Sequence, residues 1–163
     1  MPTISPNGSR KTSSTATEIR ASWMEHQILD HVKQALRVTL DWKTPAVGLP
    51  RKASTLQFTL QAFQRHLHRL MDFEERDGYM VVVAESNPNL EIRIRSLEDD
   101  HEAFRRTLDE LTPAIAELAE CSGERFEEIC GEVASLLDTV DRHDAEEIDL
   151  IQEAMLYDMG GEG

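Results

Sequence analysis

The sequence predicts an all-α fold, an antiparallel up-down-up-down four-helix bundle, and three observations carry that prediction. Four stretches repeat apolar residues with helical period. The breaks between them are short and built from Pro, Gly and Ser. The one strand-like run, Val81-Val82-Val83, has no partner run elsewhere, and an isolated strand is not stable.

Taken in order, residues 1–17 carry Ser, Thr, Pro and Gly with almost no apolar side chains, so a disordered tail is expected there and a helical domain over 18–161. The first helix is predicted from Glu18 to Trp42, with Leu29, Val32, Leu36 and Leu40 on one side. Pro45, Gly48 and Pro50 break it. Ser54 is a candidate cap for the second helix, whose stripe is Leu56, Leu60, Phe63, Leu67 and Leu70. That helix is expected to run through Gly78 and to end in the valine run. Asn87-Pro88 signals the start of the third, which carries Leu90, Ile94, Leu97, Phe104, Leu108, Leu111 and Ile115. Pro113 should kink or divide it. Ser122-Gly123 separates it from a fourth helix, expected from Glu124 to Asp158.

Composition narrows the function. The 163 residues include 31 Asp and Glu against 17 Lys and Arg, a net charge of −14. Phosphate binding rests on clustered Lys and Arg, so nucleic acid is excluded as a partner. No apolar run is long enough for a membrane span, and no hydrophobic signal core opens the chain. Cys121 and Cys130 match neither a disulfide framework nor a zinc pattern and are read as reduced thiols. A cytoplasmic protein is expected.

The informative residues are polar ones on apolar faces. At about 100° per residue, His143 and Glu147 fall on the core side of the fourth helix, among Ile129, Val133, Leu136, Val140 and Ile151. His101 lies among Leu97, Phe104 and Leu108. Glu74 is central to the second stripe, with His66 on its edge, and His26 sits beside Leu29 and Leu36. His31 and His68 point away. A lone inward His is more often a hydrogen-bonded core residue, and a lone inward Glu is usually paired with a cation; Lys33 and Arg93 are the candidates. Three His and two Glu converging from all four helices favour a metal instead, since imidazole and carboxylate together suit zinc or iron. The single Glu98-x-x-His101 does not make the doubled ferritin-like motif, and His101-Glu102-Ala-Phe-Arg105 fails as a zincin.

The order of one His, a Glu-Glu pair, one His and then His-x-x-x-Glu resembles the hemerythrin family, in particular its bacterial HHE cation-binding branch. The specific strings are Phe73-Glu-Glu-Arg-Asp-Gly-Tyr-Met80, Asp100-His-Glu102, His143-Asp-Ala-Glu-Glu147 with the Leu150-to-Ala154 stretch, and Asp158-Met-Gly-Gly161. The resemblance implies a hemerythrin-like bundle around non-haem iron, one or two ions, with an oxo, hydroxo or water ligand. It implies His26, Glu74, His101, His143 and Glu147 as metal ligands, Glu74 and Glu147 being the bridges. One position departs. The family usually has His four residues before the helix-two Glu, where this chain has Leu70. His66, another turn upstream, is the only substitute, although its side chain leans further away.

The expected function is therefore binding or sensing of dioxygen, peroxide, nitric oxide or iron. No acid, base or nucleophile stands apart from the ligands, so an enzyme is not expected. Two alternatives stay open: a metal-degenerate helical interaction module, and a di-iron oxidase or peroxidase.

Overall fold

The computed structural model describes residues 9–43, 48–76, 78–118 and 120–160. Within them the elements are α1 (Ser9–Asp41), α2 (Leu49–Arg76), α3 (Tyr79–Ser86), a 3-10 turn (Pro88–Leu90), α4 (Glu91–Glu117) and α5 (Gly123–Gly160). The fold is all-α, with four long helices and no strand among the described residues.

Several helix ends differ from those expected. Residues 9–17, assigned above to a disordered tail, form the first turns of α1, while residues 1–8 lie outside the described part. No Gly or Pro interrupts Ser9–Asp41, and extending a helix already fixed by packing is far cheaper than nucleating one. Helix α2 starts at Leu49 rather than after a Ser54 cap. Gly48, at φ 80°, makes the left-handed turn that launches it, and Pro50 is tolerated because first-turn amides need no helical acceptor.

The second helix also stops early. The valine run is helical, but as the separate α3, because the chain breaks after Arg76 and Gly78 is extended (φ −88°, ψ −168°). Helix α4 runs through Pro113 undivided. Ser122 opens α5, its hydroxyl accepting from the Arg125 amide at 3.3 Å and its carbonyl from the Phe126 amide at 2.9 Å.

The apolar stripes pack as two clusters. The larger joins Leu29 and Leu36 of α1, Phe63, Leu67 and Met71 of α2, Phe104 and Leu108 of α4, and Val133, Leu137 and Val140 of α5. The smaller joins Met80 and Val83 of α3, Ile94 and Leu97 of α4, and Leu150 of α5. Buried polar residues separate them. Along α4, His101 stands between Leu97 and Phe104; along α5, His143 and Glu147 stand between Val140 and Leu150. The layer is thus a polar slab between two apolar ones.

The end of α1 is held by a cation. Buried Lys52 donates from Nζ to the carbonyls of Leu40 and Trp42, both at 2.8 Å, carbonyls that the helix itself leaves unpaired. Lys52→Met would keep an apolar stem of similar length but strand both oxygens and take the ammonium from over the Phe126 ring. A loss of about 2 kcal/mol is expected, read as a lower urea midpoint at unchanged m-value.

Candidate metal centre

Each long helix brings at least one donor to the slab. His101 and His143 are the innermost. The Nδ1–H of His101 donates to Glu75 Oε1 at 2.8 Å, and that of His143 to Asp100 Oδ2 at 3.1 Å. These bonds orient the rings and leave Nε2 of each facing inward, 3.1 Å from the other. Two neutral imidazoles so held aim lone pairs at one another, which is repulsive unless a proton or a cation lies between. Glu74 Oε2 is 3.4 Å from the same His101 nitrogen. A carboxylate fixing the outer nitrogen of an inward imidazole is the usual support of a metal-ligating histidine.

The second half of the slab centres on the other oxygen of Glu74. His26 Nε2 lies 3.0 Å from Glu74 Oε1 and 3.9 Å from Glu147 Oε2. The Glu74 contact is close but poorly directed, and Glu74 Oε1, Glu147 Oε1 and the Tyr79 hydroxyl are all buried without a hydrogen bond of adequate geometry. Glu74 and Glu147 are each 2% exposed, and no Lys or Arg pairs with them among the described residues. The two cations expected near core faces are used elsewhere: Lys33 by Asp30, Asp141 and Asp144, Arg93 by Asp149 and Glu153.

Proton affinities reflect this crowding. Burial opposes the charge on His26, but Glu74, Glu147 and Asp144 outweigh it and raise the imidazole from 6.5 to about 9. Burial and the neighbouring Glu74 hold Glu147 well above the usual carboxylate range. For Glu74, burial is outweighed by His101 and His26, which hold it below that range. Burial and the charge of Glu147 push the Tyr79 phenol far up.

Two donor groups result, Glu74 with His101 and His143, and His26 with Glu74 and Glu147. Glu74 belongs to both and can bridge. Glu147, expected as a second bridge, joins only the His26 group. The residues fit a cation on three counts: converging imidazole nitrogens, orphaned carboxylate oxygens and an excess of buried negative charge. His66 is set apart, its Nδ1 3.0 Å from Glu25 Oε2 beside Arg69. Leu70 is 3% exposed in the larger apolar cluster and offers no donor. His31 is exposed, and His68 belongs to neither donor group.

Three residues were given no role by sequence reasoning. Glu75 and Asp100 adjoin Glu74 and His101, a signal that could have marked them, but that Asp100 serves His143 rather than its neighbour requires the fold. Tyr79 follows the break after α2. Outside the slab, a groove of about 610 Å³ between α4 and α5 reaches Asp100 and Phe104. Both touch the His143 ring, Phe104 edge-on at 5.3 Å between centroids.

Such a fold and donor set define an all-helical protein with a buried layer of imidazole and carboxylate donors that could hold a metal ion. The chain belongs to the hemerythrin family: the model of the hemerythrin HHE cation binding domain matches residues 17–154. No curated protein and no solved structure matches it.

Two outcomes follow from this geometry. A Cβ at Gly78 would stand 2.5 Å from Glu74 Cα and 2.8 Å from its carbonyl oxygen, so backbone must move. Gly78→Ala should cost about 2 kcal/mol and weaken cation binding, checked by thermal melts with and without added metal. The pH dependence has a definite sign. Stability from His26 is complete below its unfolded value of 6.5 and is lost as pH rises through about 9. The raised Glu147 acts in the same direction, since the folded state resists its ionisation. The metal-free protein should therefore lose melting temperature from about pH 6.5 to 9, while a cation, which displaces those protons, stabilises increasingly over that window. A metal-free melting temperature that climbs across it would contradict the assignment.

Proposed function

We propose that this chain is a non-haem iron protein whose buried layer holds two ions bridged by Glu74, and that it binds or senses dioxygen, peroxide, nitric oxide or iron. The observation that carries the reading is the pair of donor groups sharing one buried carboxylate, with no Lys or Arg paired to it among the described residues. His101 and His143 would hold one ion with Glu74, and His26 and Glu147 the other. Iron supplies the reversible one-electron and oxygen chemistry that these side chains lack. The chain's own part is to orient the imidazoles through Glu75 and Asp100, and to exclude water with Leu29, Phe63, Leu67, Leu70, Phe104 and Val140, all buried.

The same reading takes the long helices as an antiparallel up-down-up-down bundle. It is supported by the order of layers along each helix: α2 and α5 pass from the larger cluster to the polar slab, whereas α1 and α4 pass from the slab to the larger cluster. The free thiols Cys121 and Cys130 support a cytoplasmic setting, and no described helix is long and apolar enough to cross a membrane. The net charge of −14 argues against nucleic acid as partner. Binding or sensing is preferred to an oxidase or peroxidase because the imidazoles and buried carboxylates of the slab are all taken up as proposed ligands.

Leu70 favours a second reading, a helical interaction module without iron, because it leaves the His26 group with a single imidazole. Elemental analysis separates the two. Protein expressed in iron-rich medium should carry about two irons per chain, and Glu74→Ala and His143→Ala should each lower that content. Protein that takes up no iron and melts identically with and without it would establish the second reading.

A further inference from the structure

The His26 group is the poorer of the two, with one imidazole and two carboxylates, and the position one turn before Glu74 is filled by the hydrocarbon of Leu70. On the far side of Glu74 the chain supplies another oxygen. Gly78, without a Cβ, passes directly against the Glu74 backbone, and Tyr79 then begins α3. That helix packs against α2, α4 and α5 together. The Tyr79 hydroxyl is thereby carried to Glu147, sealed from solvent and left without a well-directed hydrogen bond.

Its companions are in the same condition: Glu74 Oε1 and Glu147 Oε1 are likewise buried and unsatisfied. Glu74 and Glu147 both lie against His26 Nε2 and the Tyr79 hydroxyl lies against Glu147, so oxygens from α2, α3 and α5 meet in one cluster. A phenylalanine would fill the same space without setting a hydroxyl against the buried Glu147 carboxylate, so packing alone does not account for a tyrosine here.

We propose that the phenolic oxygen of Tyr79 is a ligand of the cation held by His26, Glu74 and Glu147. The inference rests on reading this cluster as an iron site. A hard anionic oxygen suits ferric iron, and tyrosinate is an established protein ligand for that ion. On binding, the phenolic O–H bond breaks, the oxygen–metal bond forms, the proton leaves to solvent and no electron moves. The group would then hold one nitrogen and three oxygen donors, offsetting the imidazole absent at Leu70.

The chain has two tyrosines, Tyr79 and Tyr157, which makes the test direct. Wild type, Tyr79→Phe and Tyr157→Phe are prepared metal-free, loaded with ferrous salt and oxidised in air, then compared by iron content, visible absorption and resonance Raman. Wild type is expected to show a visible phenolate-to-iron band with enhanced tyrosine ring modes, which shift when the protein is grown with ring-deuterated tyrosine. The band should vanish in Tyr79→Phe and persist in Tyr157→Phe. Iron bound by wild type without tyrosine modes would overturn the Tyr79 assignment and leave the iron site standing. Absence of iron from wild type would overturn both. Should Tyr79→Phe fail to fold, the deuteration shift in wild type decides whether a tyrosine is bound, and Tyr157→Phe decides which one.

Discussion

Glu74 is the residue on which the arrangement turns, a carboxylate 2% exposed whose two oxygens address different imidazoles. An ionised carboxylate at that depth is several kcal/mol unfavourable unless positive charge or strong donors meet it. Among the described residues, no Lys or Arg pairs with it. The neighbouring cations are engaged elsewhere: Arg105 grips both oxygens of Glu75 at 2.9 and 3.0 Å, and Lys33 is enclosed by aspartates. Positive charge can reach Glu74 only as imidazolium or as a bound cation, and these compete for the same place.

Helix register follows from this constraint. The slab is one layer thick, with carbon above and below it, so its donors must arrive at one level. Sliding one helix by a turn, about 5.4 Å, would bury a carboxylate in hydrocarbon and bring leucine to the metal layer. Polar layers inside otherwise apolar bundles are the best-attested means of selecting one alignment from several of similar apolar content.

The legible part of the sequence was the part governed by period. A side chain's angle around its own helix follows from counting, so the inward turn of His26, Glu74, His101, His143 and Glu147 could be read from spacing. Pairings between helices could not. Nothing local says that Asp100 supports a histidine on α5 rather than acting beside His101, or that His66 is taken up by Glu25. The break after α2 was missed for a related reason. Gly78 inside an apolar pattern costs a helix only about 1 kcal/mol, so propensity alone allowed continuation, whereas the packing of α3 against three other helices required a turn. At the N-terminus α1 reaches back to Ser9, where weak helix formers extend a helix anchored further along.

The grip of α1 on the rest of the molecule is uneven, and this bears on ionic strength. Toward α2 it buries leucines; toward α5 it offers Lys33 and Arg37, which knit together Asp138, Asp141 and Asp144. Without those cations, three aspartates within two turns would repel one another in a chain already carrying −14. Added salt screens the exposed Arg37 pairs while leaving the α1–α2 leucines intact, so dissolved ions loosen this seam first. His26, the most exposed of the five donors at 34%, lies on the helix that forms one side of that seam. Salt thus has a route to one edge of the slab that leaves its apolar floor and roof untouched.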